Sequence, residues 1–261
     1  MLTADLRRFP VGPDDHVPDF GCGGGRHAFQ PSRRGDAVVT LHAGPAGLRR
    51  VDQMVAAIRA AGKAPAVASA RTACGDTTVM PRPDGSFGRV IAGAVLGHIP
   101  ADHRALGQTA GVLRPGGQVA VAVPAWLPER ICWRLSEDHH NASGGHVRIC
   151  TRAGLEAKLA RAGLRVGAHH QAPGLHCPRW WLTCVVGVDR ADLPAARVNH
   201  QMLLWDIIKQ PTIILLAERP RIRCSARALS STRRNHSYAA SPRRCRSLSG
   251  HMPPHEVPGG M

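Results

Sequence analysis

The sequence predicts an α/β domain built on a mainly parallel sheet. Three observations carry that expectation. Short apolar runs alternate with segments of helical period along most of the chain. The first of those runs leads directly into a glycine-rich loop and then a helix, the order in which backbone N–H groups are offered to a ligand. The chain has 261 residues, 43% of them apolar, enough to build the core of one large domain or two small ones.

The elements follow in order. His16 to Phe20 reads as the first strand, entering Gly21-Cys22-Gly23-Gly24-Gly25, and Arg26 to Arg34 reads as a helix that Gly35 stops. Pro18 within that strand removes a ladder bond, and Pro31 within that helix costs about 3 kcal/mol if the helix is regular. Ala37 to Leu41 is a second strand. After Pro45, Leu48, Val51, Val55 and Ile58 fall on one face of a helix that Gly62 ends. A third strand around Ala66 to Ala73 leads to Cys74-Gly75-Asp76. A fourth, Arg89 to Ala92, follows the turn Pro83-Asp84-Gly85-Ser86. Ala101 to Leu113 is helical, and Arg114-Pro115-Gly116-Gly117 turns the chain into a fifth strand, Gln118 to Val123.

Beyond that strand the pattern changes. Residues 124–150 hold Trp126, Trp133, His139, His140 and His146 without a clear period and read as a lid or insertion. Thr151 caps a helix reaching Ala162, with Leu155 and Leu159 inward and Gly163 as its stop. Leu164 to Ala168 is a sixth strand. Residues 176–215 read as a helical, aromatic-rich segment packed on the insertion. From Pro220 to Met261 eight Arg stand against one Glu, with scattered aliphatics and no period. Such a segment buries too little apolar surface to offset the ordering cost of about 1–2 kcal/mol per residue, so a disordered basic tail is expected over 220–261. The domain itself is expected to span 1–219.

The formal net charge is +16. Only Lys63, Lys158 and Lys209 are lysines, so the excess is almost all arginine and much of it lies in the tail. Binding of nucleic acid through that tail is one reading, but the tail lacks interleaved aromatics and any recognised module, and no specific nucleic-acid partner is expected. No run approaches the roughly 20 apolar residues of a membrane span, and the start has no apolar signal core; the expected location is the cytoplasm. Eight cysteines with no CxxC pair point to reduced thiols. His169-His170 with His176-Cys177 offers ligands enough for zinc without the usual paired spacing, and no metal is expected.

The glycine loop, Gly21-x-Gly23-x-Gly25, departs from the dinucleotide fingerprint GxGxxG, because Arg26 stands at its last glycine. A loop of this form behind an acidic strand end suits a ligand that brings an amino group to Asp19, or it is a tight turn and nothing more. Val17-Pro18-Asp19-Phe20-Gly21-Cys22-Gly23-Gly24-Gly25-Arg26 resembles motif I of the class I S-adenosylmethionine-dependent methyltransferases. Cys74-Gly75-Asp76, the segment Met80 to Val90, Val95-Leu96-Gly97-His98-Ile99 and Val112-Leu113-Arg114-Pro115-Gly116-Gly117 resemble later motifs in the family's order. The resemblance runs to about Arg219. The segments Trp126 to Trp133 and Gly144 to Ile149 resemble an actinobacterial branch of the type 11-like enzymes.

That resemblance implies a Rossmann-like class I methyltransferase sandwich with S-adenosyl-L-methionine as cofactor and a small-molecule, lipid or saccharide acceptor. Asp19, Gly21, Cys22, Gly23 and Gly25 would line the methionine end. Asp76 would accept from the adenine amino group, and Gly93 would lie at the cofactor at the end of the fourth strand. The ribose position, usually acidic, is His42, which cannot accept a bidentate pair; the lost charge-assisted bond is worth about 1.5–3 kcal/mol. Gly88, Ala94 and Gly97 stand where the family more often has acids, and Cys150 where the branch tends to have Tyr. The family's closing C-terminal strand is expected to be missing, its place taken by aberrant Arg/Ser/Pro-rich sequence.

Methyl transfer is an in-line displacement that needs alignment and dryness rather than a metal. A hydroxyl acceptor also gains from a general base, for which His98, His140 and His146 are the candidates, each with a structural reading beside it. Trp126, Trp133, Trp180, Trp181 and Trp205 either wall an acceptor pocket or form the core of the lid. The departures at Pro18, Pro31 and His42 leave a second reading, a protein of the same fold with a degraded cofactor site.

Overall fold

A computed structural model of the chain describes residues 3–4, 16–34, 37–63, 69–80, 83–141, 144–172, 177–187 and 226–233. Their strands are β1 (His16–Phe20), β2 (Ala37–His42), β3 (Ser69–Cys74), β4 (Phe87–Gly93), β5 (Leu113–Pro124), β6 (Leu164–Ala172) and β7 (Ala226–Arg233). They form one sheet in the order β3-β2-β1-β4-β5-β7-β6. β1 to β5 pair in parallel, and β7 runs antiparallel between β5 and β6. The strand order reverses between β1 and β4, so the crevice outside their C-terminal ends is where a sheet of this kind receives a ligand.

The helices are α1 (Phe29–Arg34), α2 (Pro45–Ala60), α3 (Asp102–Val112), α4 (Trp126–Leu135), α5 (Asp138–Asn141), α6 (Arg152–Arg161) and α7 (Cys177–Val186). On one face of the sheet Val90 and Ala92 of β4 and Val119, Val121 and Val123 of β5 pack with Leu106 of α3 and Leu155 and Leu159 of α6. Ile91 and Ala120, of opposite parity, pack with Val17 and Ala4 on the reverse face. The stripe Leu48, Val51, Val55 and Ile58 of α2 is buried against Cys22 and Phe29, as its period predicts. Thr151 caps α6 by accepting from the Gly154 N–H at 3.1 Å.

Several expectations are corrected. The first helix begins at Phe29 rather than Arg26, which places Pro31 in its first turn, where no intrahelical N–H bond is lost. β1 pairs with β2 along its whole length but with β4 only at Asp19↔Ile91, and Pro18, with no N–H to donate, stands beside that pair. Arg114 to Gly117 lies inside β5, as an irregularity in its pairing with β4, rather than before it. The segment read as irregular, after Pro124, carries α4 and α5; Pro128 sits in the first turn of α4 and therefore does not break it.

The largest correction concerns the closing strand. It is present, as β7, within the segment expected to be disordered. Its sequence, ARALSSTR, has no apolar alternation because a strand flanked on both sides is held by two backbone ladders, which do not depend on side-chain pattern. Residues 234–261, and residues 188–225 with the rest of the helical segment expected at 176–215, lie outside the described residues. A chain ended at residue 219 leaves β5 and β6 with facing edges unpaired. It is expected to lose the cooperative thermal transition in far-ultraviolet circular dichroism that a chain ended at residue 240 keeps.

Candidate functional site

The C-terminal ends of β1, β2, β3 and β4 bring most of the sequence-predicted ligand residues to one edge of the sheet. The loop after β1 is fastened to β2 by the Gly21 and Cys22 N–H groups, which both donate to Leu41 O, at 2.8 and 3.2 Å. Gly21, Gly23 and Gly25 all take positive φ, at 67°, 55° and 78°. A Cβ at Gly21 would lie 2.1 Å from Val95 Cγ2 and one at Gly25 2.7 Å from Val51 Cγ2, whereas one at Gly23 would meet nothing within 4 Å. Packing thus fixes the two ends of the loop, and its middle has open space that a ligand can approach.

Asp19 lies beneath this loop, 1% exposed, and neither carboxylate oxygen has a hydrogen-bond partner among the described residues. Burial pushes its carboxyl up to about 7, against the opposing pull of the Arg26 guanidinium and the Ala28 amide. Thr40, its register partner on β2, also leaves its Oγ1 buried and unpartnered. Asp19 and Thr40 thus leave polar oxygens buried under the glycine loop, with the Arg26 guanidinium and the Ala28 amide close to the carboxyl.

His42 ends β2, and its carbonyl accepts from the Gly75 N–H at 3.1 Å. Asp76 is exposed, and its Oδ1 accepts from the Thr78 N–H at 2.8 Å, which holds its carboxyl below the usual range. Gly93 has a packing role: a Cβ there would fall 2.2 Å from the buried His27 ring. The His27 Nε2 lies 2.8 Å from Thr3 Oγ1, and burial, with the Arg26 charge, lowers its pKa to about 3. His27 is a residue that the sequence reading passed over, since a single histidine after a glycine loop carries no signal of burial.

Beyond β4 the chain turns at Ala94, which takes φ of 63° and donates from its N–H to Ala122 O at 2.8 Å. Segment 144–149 is strapped across this turn. Val147 N–H donates to Gly97 O at 2.8 Å, and Arg148 Nη1 donates to the Leu96 and Ile99 carbonyls at 2.6 and 2.5 Å. Arg148 also pairs with the buried Asp102, as does Lys158. Gly97 makes the strap possible, because a Cβ at that position would lie 2.9 Å from His146 Cδ2.

The strap delivers His146 onto His98, with ring centroids 4.2 Å apart and planes inclined by 30°. Desolvation of its covered face, and then the neighbouring His146, lower the His98 pKa. His146 Nδ1 lies 2.7 Å from Glu129 Oε1, which also accepts from His139 Nε2 at 3.2 Å and Trp133 Nε1 at 3.1 Å. Burial alone would raise the Glu129 carboxyl; the histidine partners hold it down at about 2. His140, the third predicted base, stacks on Trp133 at 4.4 Å with its Nδ1 buried and unpartnered. Glu129 and His139 went unassigned as site residues, although Glu129 and Trp133 stand four apart, the spacing that joins side chains on a helix. Trp126, Trp180 and Leu127 are exposed on α4 and α7.

Comparison with known proteins gives a consistent picture. The family model described as a methyltransferase domain matches residues 18–121. A curated relative, 27-O-demethylrifamycin SV methyltransferase of Amycolatopsis mediterranei, is 28% identical over 173 residues, which is 66% of this chain and 61% of that protein. The match thus spans less than two thirds of the relative's length. Among solved structures, the YcgJ protein of Bacillus subtilis superposes with a TM-score of 0.59 at 16% identity, covering 88% of this chain and 97% of the other. Geranyl diphosphate C-methyltransferase of Streptomyces coelicolor, solved with S-adenosyl-L-homocysteine, gives 0.56 at 14% identity, covering 85% and 74%. At such identities the structural likeness establishes the fold. Among the described residues no helix is long and apolar enough to cross a membrane.

Asp19 and His27 bias stability in opposite directions. The folded chain keeps a proton on Asp19 up to about pH 7 that the unfolded chain, at 3.8, has already released, so this contribution declines as pH rises between those values. The unfolded chain takes up a proton on His27 below 6.5 that the folded chain refuses down to about 3, so that contribution declines as pH falls. Between pH 4.5 and 6.5 the two slopes, each about 1.4 kcal/mol per pH unit, oppose one another. Asp19→Asn is expected to expose the His27 slope, with stability falling by about that amount per unit of acidification relative to the parent chain in urea titrations.

Proposed function

We propose that this chain, which belongs to the class I S-adenosylmethionine-dependent methyltransferases, transfers a methyl group to a hydroxyl of a small-molecule, lipid or saccharide acceptor. The observation that carries the reading is the Glu129–His146 pair held by the strap against the chain just beyond β4. The curated relative's name puts its methyl group on an oxygen, which supports a hydroxyl acceptor here.

The residues present fit the cofactor, S-adenosyl-L-methionine. The unpartnered Asp19 carboxylate suits an ammonium group, and the open middle of the loop between Gly21 and Gly25, with Cys22 and Gly23, suits the methionine end. His42, at the end of β2, would face the ribose, and Asp76, in the loop just after β3, would meet the adenine. Gly93 contributes room for His27 and backbone rather than a side chain. When bound, the cofactor supplies an electrophilic methyl group on a sulfonium. His146, donating from Nδ1 to Glu129, keeps Nε2 as the lone-pair nitrogen that takes the acceptor's hydroxyl proton. The Glu129 carboxylate then steadies the imidazolium, in the manner of the acid behind a catalytic histidine. His98, stacked on His146, acts as a positioning residue.

Two measurements test this. Calorimetric titration with S-adenosyl-L-homocysteine in buffers of differing ionisation enthalpy is expected to show release of roughly half a proton at pH 7, as the ammonium drives Asp19 to its charged form. Asp19→Ala abolishes binding and His42→Asp strengthens it by about tenfold or more. A folded chain that binds nothing would instead support a degraded cofactor site. With a labelled methyl donor and a panel of hydroxylated acceptors, His146→Gln is expected to lower turnover by about 10²–10⁴-fold and leave donor affinity unchanged.

A further inference from the structure

Three short helices meet beside the Glu129 cluster. Cys132 on α4, His139 on α5 and Cys184 on α7 each present a ligand atom, and these atoms all lie within 4.8 Å of one another. Both thiols are buried, at 3% and 4% exposure. His139 is partly buried and keeps a hydrogen bond from its Nε2 to Glu129 Oε1, at 3.2 Å. Two thiols and an imidazole form a poor hydrogen-bonded core, because thiols are weak donors and weak acceptors. They form a good borderline-soft metal set: Cys₂His leaves a fourth position open, and zinc accepts sulfur and nitrogen with tetrahedral freedom. The carboxylate bonded to the histidine ring is the usual support for a metal-bound imidazole, one nitrogen ligating while the other donates.

We propose that Cys132, His139 and Cys184 bind one zinc ion, with Glu129 supporting His139 and the fourth position open to solvent or to that carboxylate. The ion pins α5, a helix of one turn, and α7 to α4, and so fixes the wall from which Glu129 reaches His146. Binding releases the two thiol protons, and no oxidation is involved. The proposal does not require methyl transfer, since its three ligand atoms, on Cys132, His139 and Cys184, take no part in that reaction, although it shares Glu129 with the base proposed above.

The test uses the full chain, purified with a non-thiol reductant and stripped of metal. Zinc titrated against a chromogenic chelator is expected to bind at one equivalent. Cobalt(II) in its place is expected to show the intense thiolate-to-metal charge-transfer absorption of sulfur ligation. Cys132→Ser and Cys184→Ser each lower zinc affinity by about 100-fold or more and remove that absorption, whereas His146→Gln retains it. X-ray absorption at the zinc edge of the parent chain is expected to read two sulfur ligands and an imidazole nitrogen; this keeps the test decisive if a serine variant fails to fold. A reduced chain that binds no zinc overturns the proposal. So does a cobalt spectrum without sulfur character, which would place the ion on Glu129, His139 and His146 instead.

Discussion

Glu129 Oε1 is a single buried oxygen that accepts hydrogen bonds from the Trp133 indole, the His139 ring and the His146 ring, and the upper wall of the site is arranged around it. A carboxylate taken out of water is costly unless every lone pair is used. The three donors come from α4, from α5 and from the strap after it, so satisfying one charge fixes three pieces of backbone relative to each other. The strap in turn depends on Arg148, whose guanidinium caps the carbonyls of Leu96, Ile99 and Pro100, and on Gly97, which yields the space that the His146 ring needs. Removal of Glu129 would leave the two histidines without their acceptor and His146 without a fixed tautomer.

The lower wall obeys the opposite logic. Under the glycine loop Asp19 is buried without a well-formed hydrogen bond, and the chain tolerates this by keeping the carboxyl largely protonated below neutrality, the Arg26 charge and the Ala28 amide only partly offsetting burial. Nearby, His27 is held neutral by burial and fills the space that Gly93 leaves. One carboxylate thus has an oxygen without a partner and the other an oxygen with three. The first is buried beside the glycine loop, and the second holds the His146 ring in place.

Much of the fold was legible because backbone periodicity and loop chemistry are local properties. The α2 stripe, the Thr151 cap and the strand, glycine loop and helix order all follow from residues within a few positions of each other. Three elements, α1, α4 and β7, differ from the sequence expectation, because a proline or a missing apolar pattern gives a local cue that the surroundings overrule. Pro31 and Pro128 sit in first turns, where no N–H bond is required, and β7 is held by ladders on both edges. At the site, Asp19 and the glycines were visible as a contiguous motif. His98 and His146 were named singly, and their stacking was not visible, because 47 residues separate Gly145 from the His98 that it bonds.

The sequence by itself determined the layers, most of the strand ends and the position of the glycine loop, because each rests on short-range pattern. Only the tertiary structure decided what the side chains of the lid do. Glu129, His139 and His146, and the two thiols of Cys132 and Cys184, belong to segments whose separation along the chain carries no mark of contact. Their roles arise from burial and convergence, which change what a carboxylate, an imidazole or a thiol must bind to stay out of water.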